Sequence, residues 1–423
     1  MNARLLLVLF LQLLAACGEQ SAPETSSAEL ASTDTAQLAR GQYLLRAGDC
    51  QACHTQQGGK PFAGGRVVPT PFGNIFAPNI TPDVATGIGG WSRDDFWQAL
   101  HQGTSRDGRL LYPAFPFDSF TRVRRADADA MFAALKAIPA VRQENRPPEL
   151  SFPFNQRKLL LAWRALYFDA GVYQDNTDKS AEWNRGAYLV EGLGHCKACH
   201  TPRNFLGASR SDRQLGGGLI AVQNWYAPSL HAGAGGGLHG WTRQDIVDLL
   251  KTGRSRRGTA FGPMAEVVSE SLQHLHDDDL NAIATYLHDQ PQPQLQAVPK
   301  FAGVRPSRRE AADLVEQGKK LYGKHCADCH GDDGAGKGGV YPPLAGNSAL
   351  LGNPVNAIRA VLLGGFEPTT AANPRPYSMP PFAPHLDDQQ VAAVVSYLRQ
   401  SFGNQADAVS PQTVSRYRST PVR

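Results

Sequence analysis

Six of the seven cysteines occur in three copies of one pattern, in which two cysteines are separated by two residues and a histidine follows the second. Residues 50–54, 196–200 and 326–330 carry it. The spacing C-x-x-C-H is that of covalent c-type haem attachment. Two thiols on one side of a helical turn add to the haem vinyl groups, and the adjacent histidine binds the iron.

The pattern therefore predicts three covalently bound c-type haems. The residues expected to attach them are Cys50, Cys53, Cys196, Cys199, Cys326 and Cys329, and the expected axial histidines are His54, His200 and His330.

Other uses of paired cysteines explain the pattern less well. A thioredoxin-like site needs a βαβ context, which the sequence does not show. A zinc ribbon brings two C-x-x-C pairs to one metal, whereas these pairs lie far apart in the chain. Structural disulfides are the usual use of cysteine in exported proteins, but they leave the histidine after each pair unexplained.

A low-spin c-type haem has a second axial ligand, and a methionine in that position raises the reduction potential. The chain has four methionines, of which Met1 is the initiator. Met379 precedes Pro380 in the third repeat, and Met264 follows Pro263 in the second. We therefore expect Met264 and Met379 to be axial ligands rather than core residues that fill gaps.

The first repeat has no methionine at the corresponding place, where Ala114 and Phe115 stand. Met131 lies in an expected helix, where a core role competes with iron ligation. His101 is the other candidate donor, although a solvated surface histidine also explains it. The sixth ligand of the first haem is therefore expected to be Met131, His101 or no protein group.

The segments around the motifs predict helices. Each motif follows a short helical stretch that contains a glycine, and each repeat closes with an apolar-periodic helix that starts at an aspartate, at 127–138, 277–287 and 387–398. Aspartate at a helix start suits the N-cap and the positive end of the helix dipole. A glycine where the first and last helices cross lets the backbones approach closely. The pattern predicts an all-α fold with three tandem haem domains.

A proline, followed two positions later by an aliphatic residue, recurs after each motif, at Pro78, Pro228 and Pro342. A carbonyl placed there could accept a hydrogen bond from the far N–H of the axial histidine, which would fix the ring and its basicity. A plain turn proline is the alternative, but the recurrence in all three repeats favours the hydrogen bond.

The N-terminus has the features of an export signal. Arg4 supplies a positive charge, residues 5–14 form an apolar stretch too short to span a bilayer, and small residues precede Cys17. This ending resembles a bacterial lipobox, in which the cysteine is lipidated, and an ordinary signal cut near Ala16 is the alternative. We expect an exported lipoprotein, anchored to a membrane on its periplasmic side.

The repeats and the composition between them divide the chain. Residues 18–36 are rich in Ser, Ala, Thr and Glu without apolar periodicity, which is typical of a flexible tether. The expected parts are a lipoprotein signal peptide at 1–17, the tether at 18–36, haem domains at 37–168, 181–293 and 309–403, and a basic tail at 404–423.

Composition narrows the class of protein. The hydrophobic share of 42% is enough for several packed cores, and the net charge of +4 comes without a long run of either sign. Nucleic acid is therefore not an expected partner. The chain has no apolar stretch of the ~18 residues that a transmembrane helix needs.

The sequence resembles the triheme cytochrome c subunits of membrane-bound bacterial dehydrogenases, the alcohol and gluconate 2-dehydrogenase cytochrome family. The resemblance rests on residues 70–75, 78–83 and 111–114 in the first repeat, 195–204 in the second and 341–347 in the third. It implies three tandem cytochrome c domains. Members of the family often carry a methionine near the Pro-Ala-x-Pro step of the first repeat, where this chain has Phe115.

The resemblance also implies a function and partners. The chain would relay single electrons from a dehydrogenase catalytic subunit, of the flavin, quinone or molybdenum type, to quinone or a terminal acceptor. Catalysis takes place on the partner in that family, so no catalytic residue is expected here.

Two other functions stay open. If the first haem lacks a sixth protein ligand, its iron could act on peroxide, a small sulfur anion or a gas, with the other haems supplying electrons. The chain could also deliver electrons directly to a terminal oxidase.

Overall fold

The computed structural model describes residues 27–233, 236–290, 304–337 and 339–418. The expected signal peptide, with Cys17, and residues 18–26 of the expected tether lie outside this part of the chain. The protein is mostly helical, with 45% of residues in helices and 9% in strands. The helical fold class is therefore confirmed, with short strands in addition.

The first segment, residues 27–168, contains two long helices that pack on each other and several short elements. They are α1 (Ser27–Ala47), α2 (Cys50–Cys53), β1 (Val67–Thr70), β2 (Gly73–Phe76), α3 (Arg93–Gln102), α4 (Phe117–Phe120), α5 (Arg125–Ala137), β3 (Glu149–Leu150) and α6 (Leu160–Tyr167). The strands form an antiparallel sheet in the order β1–β2–β3.

Helix α1 begins inside the stretch that was expected to be a flexible tether. The residues from Ser27 onward include Ala, Leu, Glu and Gln, which favour helix, and no Gly or Pro before Gly41. The second half of the expected tether is therefore helical, although its composition lacks a clear apolar period.

The second segment, residues 181–290, repeats the order of the first. Its elements are α7 (Ala181–Ala187), a π-helical turn (Tyr188–Leu193), α8 (Lys197–His200), β4 (Gly218–Ile220), β5 (Trp225–Ala227), α9 (Arg243–Thr252), β6 (Arg254–Ser255), β7 (Gly258–Thr259), α10 (Pro263–Glu270) and α11 (Asp277–His288). The strands pair as two antiparallel hairpins, β4–β5 and β6–β7.

The third segment, residues 304–418, has a similar plan with a different middle. Its elements are α12 (Arg308–His325), α13 (Ala327–His330), α14 (Ser348–Leu351), α15 (Val355–Leu363), β8 (Gly365–Phe366), β9 (Ser378–Met379), α16 (Asp388–Gln400) and α17 (Pro411–Arg418). The two strands pair antiparallel.

The ends of the helices follow ordinary capping chemistry. Helices α3 and α9 both start with a capping box, in which Ser92 or Thr242 accepts a hydrogen bond from the third helical residue. Asp387 caps α16 in the same way, as expected for an aspartate at a helix start. Asp127, by contrast, lies inside α5, and its side chain has another role, described below.

Each segment is built on a crossing of its first and last long helices. A Cβ built on Gly41, Gly186 or Gly318 would overlap the carbonyl oxygen of Ala130, Ala282 or Ala393 on the partner helix. The expectation of close backbone approach at these glycines is therefore confirmed. The contacts also align the three closing helices residue by residue.

The buried side chains form two cores. One core runs without a break through the first and second segments, from Leu44 to Leu287, and includes Met131 and Tyr188. The other belongs to the third segment and runs from Leu314 to Tyr417. The first two segments therefore share one hydrophobic interior, while the third has its own.

The C-terminal tail packs on the body of the third segment. Helix α17 lies against α15 and α16, with Val414 and Tyr417 buried at a spacing of three residues. Arg418 donates hydrogen bonds to Ala383 O and Leu386 O. The basic tail thus contributes to a core, because one turn of its helix buries two apolar residues.

None of the helices in the described ranges combines the length and the hydrophobicity that crossing a membrane requires.

Candidate haem sites

Each C-x-x-C-H motif forms a single helical turn that the same backbone hydrogen bond closes. The histidine N–H donates to the carbonyl of the first cysteine, at 3.0 Å for His54, 3.0 Å for His200 and 2.9 Å for His330. The turn places the histidine directly after the second cysteine and one turn beyond the first. The three motifs therefore share this closing hydrogen bond.

Each motif histidine contacts the carbonyl of the proline that the sequence singled out. The Nδ1 atoms of His54, His200 and His330 lie 2.8, 2.6 and 3.1 Å from Pro78 O, Pro228 O and Pro342 O, respectively. The expected contact is therefore confirmed in all three repeats. A carbonyl oxygen only accepts, so we assign the ring proton to Nδ1, which leaves Nε2 free to bind a metal.

Burial sets the ionisation of the motif side chains. It lowers the pKa of His54, His200 and His330, against the effect of the proline carbonyls, and so favours the neutral ring that a metal ligand requires. Burial, together with the charge of Cys329, raises the pKa of the Cys326 thiol to about 11. Cys326 therefore differs from a redox-active cysteine, whose thiol pKa is usually lowered.

The donor set suits covalently bound haem. All six motif cysteines are free thiols, and the second cysteine of each motif is exposed. Paired thiols, a neutral imidazole and a fixed ring are what haem attachment and proximal ligation need. Within the described residues, no cluster of three or more His, Cys, Asp or Glu side chains could hold a metal ion by itself.

The two methionines expected as ligands each pack against a core. Met264 is the second residue of α10 and packs against the core of the first two segments, whereas Met379 lies in β9 and packs against the third core. Both are half-buried. The turn before Met264 has a left-handed Gly262 with φ 58°, where a side chain would strike the ring of Trp225.

Met131 has a different setting. It is fully buried within α5. The alignment through the crossing glycines makes it equivalent to Ile283 and Val394 of the other two closing helices. Both of these are buried core residues. The position therefore takes an apolar core side chain in all three segments.

His101 is held by the loop that follows it. Its Nδ1 lies 3.0 Å from Thr121 O, and its ring stacks on Trp97 with a centroid distance of 4.6 Å. In the second segment Lys251 donates to Leu275 O, also just before the closing helix. The structure thus gives His101 a partner on one nitrogen and leaves the other nitrogen unassigned.

The first motif contacts the second segment at two points. His195, which precedes Cys196, places its Nε2 3.3 Å from Gly48 O. Arg66 Nη1 donates to Ala52 O inside the first motif at 2.7 Å, and its Nη2 donates to Glu266 on α10 at 2.8 Å. The residue before the second motif is therefore bonded close to the start of the first motif, and Arg66 links the first motif to the helix that carries Met264.

The residues before Met264 contact the strand pair that contains Met379. A Cβ built on Gly365 would come within 2.5 Å of the ring of Phe261, which precedes Met264 by three residues. Gly365 is the residue that pairs with Met379 across the β8–β9 ladder. The residues just before Met264 therefore contact the strand that pairs with the strand of Met379.

A reciprocal set of hydrogen bonds joins the first two segments. Tyr188 donates to Asp127 Oδ2 at 2.6 Å, and Tyr43 donates to Asp279 in the opposite direction. Within its own segment, Asp127 also accepts from Arg40 Nε at 2.8 Å, and Asp279 accepts from Arg185 at 2.7 Å.

Sequence reasoning missed this set. The signal was present, since both repeats carry Arg-Gly-x-Tyr before the motif and an aspartate in the closing helix. The third repeat has Gln317, Lys320 and Gln390 at the aligned positions.

The helix crossing and the histidine held by a proline carbonyl after C-x-x-C define a cytochrome c. In agreement, a family model described as Cytochrome c matches residues 315–402. The chain belongs to the family of cytochrome c subunits of alcohol, gluconate 2- and fructose dehydrogenases. The family resemblance inferred from the sequence is therefore confirmed.

Three relatives illustrate the similarity. The cytochrome c subunit of the quinone-type alcohol dehydrogenase of Gluconobacter oxydans is 38% identical, over 92% of this chain and 83% of its own length. The gluconate 2-dehydrogenase cytochrome c subunit of Pantoea cypripedii is 39% identical, over 87% and 86%. The fructose dehydrogenase cytochrome subunit of Gluconobacter japonicus is 37% identical, over 92% and 84%.

Proposed function

We propose that the chain carries three covalently bound c-type haems and relays single electrons from a dehydrogenase catalytic subunit to quinone or a terminal acceptor. The observation that carries this proposal is the threefold repetition of one contact, from a C-x-x-C-H histidine to a proline carbonyl. A disulfide needs no such histidine, and the described residues contain no group of three or more His, Cys, Asp or Glu side chains of the kind that a structural zinc site requires. The haems would be held at the six motif cysteines, with His54, His200 and His330 as axial ligands.

The same proposal includes the division of the chain into domains. Three tandem cytochrome c domains would occupy 37–168, 181–293 and 309–403, and each is supported by its own crossing helix pair. Residues 1–17 would be a signal peptide that ends at a lipidated Cys17. The protein would then be held at a membrane on its periplasmic side.

The residues of the chain have three tasks in this function. The bound haem supplies one-electron chemistry, which the protein tunes through the axial ligands and burial. The proline carbonyls orient the histidine rings and fix their tautomer. Met264 and Met379 would be further ligands of the second and third haems, and thioether ligation would raise the reduction potentials of these haems.

Contacts between segments support a relay in chain order. Arg66 bridges the first motif to the helix of Met264, and Phe261 bridges the loop of Met264 to the strand of Met379. The second segment thus lies in contact with both others. Electrons would pass between neighbouring haems through this middle segment.

The names of the relatives support a dehydrogenase partner. They are cytochrome subunits of alcohol, gluconate 2- and fructose dehydrogenases, and one name includes quinone. A catalytic subunit of the flavin, quinone or molybdenum type would deliver the electrons, and no catalytic residue is proposed in this chain.

The number of haems tests the proposal directly. The chain, exported in a host that matures c-type cytochromes, is expected to show three covalently added haems by intact mass and by pyridine haemochrome absorbance. The double variant Cys326→Ser with Cys329→Ser is expected to show two. A wild-type mass with fewer than three haems would contradict the proposal.

A second function is favoured by one observation on the first segment. The core position of Met131, shared with Ile283 and Val394, argues against its use as a ligand. The first haem would then have His101 or no protein group as its sixth ligand, and an open iron could act on peroxide, a small sulfur anion or a gas.

Absorption and electron paramagnetic resonance distinguish these states. A high-spin signal from one haem in three at neutral pH would support the open site, whereas three low-spin haems would exclude it. Loss of one low-spin signal in His101→Leu, but not in Met131→Leu, would identify His101 as the ligand.

A further inference from the structure

Arg359 is a buried cation at the junction of the second and third segments. It lies on α15 with an exposed fraction of 4%, and its guanidinium carbon is 5.0 Å from the ring centre of Trp225 on β5. Its Nε and Nη1 atoms are buried, and neither has a hydrogen-bond partner within the described residues. The ionisable group that acts on Arg359 in this part of the chain is Tyr417, a phenol and not a carboxylate. The guanidinium is therefore buried with two unused donors.

A guanidinium in this setting suits an anionic acceptor. Burial of a charged group is costly unless the group is paired and hydrogen-bonded. Stacking on Trp225 engages the face of the guanidinium, but its N–H groups lie in the plane and stay available for an acceptor. Tyr417 supplies no negative charge, because burial raises the pKa of its phenol even though Arg416 and Arg359 oppose this effect. Arg359 thus has both the donors and the charge that bind a carboxylate.

Arg399 shows that a buried arginine of the same segment can find its acceptors within the chain. Its exposed fraction is also 4%. Its Nε donates to Asp407 O at 2.8 Å, and its Nη1 donates to Leu350 O and Gly352 O. Burial alone therefore does not explain why two donors of Arg359 are left without acceptors.

The hairpin that Arg359 contacts belongs to the second haem site. A Cβ built on Gly262, two residues before the expected methionine ligand, would come within 2.8 Å of the ring of Trp225. The strand of Trp225 pairs with β4, where a Cβ built on Gly218 would lie 2.7 Å from Cys199 O. The β4–β5 hairpin therefore contacts both the second motif and the turn of the methionine. A haem carries two propionates, so the haem expected at this motif would bring carboxylates to this site.

We propose that Arg359 of the third segment donates hydrogen bonds to a propionate of the second haem and thereby raises the reduction potential of that haem. This inference rests on the proposed function, since it needs a haem at the second motif. A cation beside the propionate offsets a negative charge that would otherwise stabilise the ferric iron. Arg359 is then a positioning residue, which acts on the iron through the propionate. The third segment would thus set the potential of a haem that the second segment attaches.

Spectroelectrochemical titration of the haem-loaded full chain, between about pH 5 and pH 8, tests the contact. In Arg359→Gln we expect the equilibrium constant for reducing the second haem to fall about tenfold, which is 59 mV for a one-electron couple. The unpaired propionate should also titrate in this range, so the potential should fall more steeply with rising pH than in the wild type. Arg359→Lys keeps the charge and should restore most of the potential. Met264→His identifies the second haem, because a change of its expected ligand shifts the same component.

Two control variants separate the contact from the loss of a buried cation and from a loosened junction. Arg399→Gln removes an equally buried cation whose acceptors are carbonyl oxygens, and it should add no pH dependence. Asn356→Ala lies on the same helix as Arg359 and removes both hydrogen bonds to the backbone of Tyr226. It should leave the potential and its pH dependence at the wild-type values. Equal haem content and equal helical circular dichroism show that each variant is loaded and folded.

The outcomes that would overturn the inference are distinct. Three haems in the wild type with an unchanged second potential in Arg359→Gln would reject the inference and leave the proposed function intact. A lower potential without added pH dependence would also reject it, because Arg359 would then act as a charge and hold no carboxylate. The same holds if the change falls on another haem or also occurs in Asn356→Ala. A wild type without the second haem would reject both proposals, and the haem count shows this before any variant is made.

Discussion

The junction between the first and second segments differs in kind from the junction between the second and third. The first junction runs through a continuous hydrophobic core and is closed by two tyrosine–aspartate hydrogen bonds that cross in opposite directions. Each segment contributes an equivalent tyrosine and aspartate, so the two hydrogen bonds are related by a local pseudo-twofold symmetry. Neither half of this set is complete without the other segment.

The second junction joins two separate cores through polar and aromatic contacts, in which Arg359 and Glu367 are buried. Tyr226 and Asn356 exchange hydrogen bonds of 2.9 and 2.8 Å, and Arg254 Nε donates to Glu367 at 2.5 Å. The ring of Trp225 lies under the guanidinium of Arg359 at 5.0 Å. The third segment is therefore attached to a body that is already complete.

The difference has a consequence for stability. Segments that share a core lose it together, since opening either one exposes apolar surface of both. Segments that have separate cores can come apart while both stay folded. We expect the first two segments to unfold as one cooperative unit and the third as another.

The largest effect is expected from Gly186→Val. Its side chain would overlap the carbonyl oxygen of Ala282, so the helix crossing must open, at a cost of about 4 kcal/mol or more. Because the core is shared, proteolysis should then cut the first and second segments together and spare the third. Gly318→Val is the matched change and should expose the third segment alone. A first segment that stays protected in Gly186→Val would contradict the shared core.

Asp279→Asn is expected to cost about 3 kcal/mol at neutral pH, because it breaks a buried ion pair and leaves Arg185 without its partner. Burial raises the pKa of Asp279, but bonds from Arg185 and Tyr43 outweigh it and hold the pKa below its usual value. The ionised group therefore stabilises the fold above the ordinary aspartate pKa, and this contribution is lost as the pH falls through the folded-state pKa.

Urea unfolding at pH 7 and at acidic pH checks this prediction. The difference in the free energy of unfolding between Asp279→Asn and the wild type should become smaller as the pH is lowered. Gln390→Asn, the aligned position in the third segment, should show little difference at either pH. If this difference in the free energy of unfolding does not depend on pH, the ionised carboxylate does not have the proposed role.

A smaller effect is expected from Tyr188→Phe, which removes one hydrogen bond to the carboxylate of Asp127 and should cost about 1.5–3 kcal/mol. A double-mutant cycle with Asp127→Asn measures the coupling between the two side chains in urea unfolding. Additive losses would show that the bond does not hold the junction.

The smallest effect is expected from Glu367→Gln in the second junction. Burial raises the pKa of Glu367 even though Arg254 and Asn373 oppose it, so ionising the group costs free energy in the folded state. The wild type therefore loses stability relative to the variant as the pH rises above the ordinary glutamate pKa. We expect a difference within about 1 kcal/mol, since the desolvation cost of the ionised group already outweighs its pairing with Arg254 and Asn373. The sign of the pH dependence should be opposite to that of Asp279→Asn.

Features that depend on neighbouring residues were predictable. The contacts of His54, His200 and His330 with prolines 24, 28 and 12 residues later followed from spacing and recurrence. The glycine crossings were also expected, since a helix pair that repeats must repeat its close approach. The tyrosine–aspartate set was not expected, because Tyr43 and Asp279 are 236 residues apart.

For some residues, no local sequence pattern could predict whether the side chain points into the core or to solvent. Periodicity placed Met131 in a helix but did not say which face turned to the core. Nor could periodicity show that Arg164 of α6 turns inward, because its hydrogen-bond acceptor, Gln102 O, lies 62 residues earlier in the chain.

The amino-acid sequence alone determined where haem can be attached, since thiol and imidazole chemistry acts over one helical turn and leaves its spacing in the chain. Only the tertiary structure decided that the first two segments share one core, that the third segment is joined to them, and that α6 exposes Leu161 and Leu166. These features depend on contacts between residues distant in sequence. Such contacts form only when whole segments bury their surfaces together.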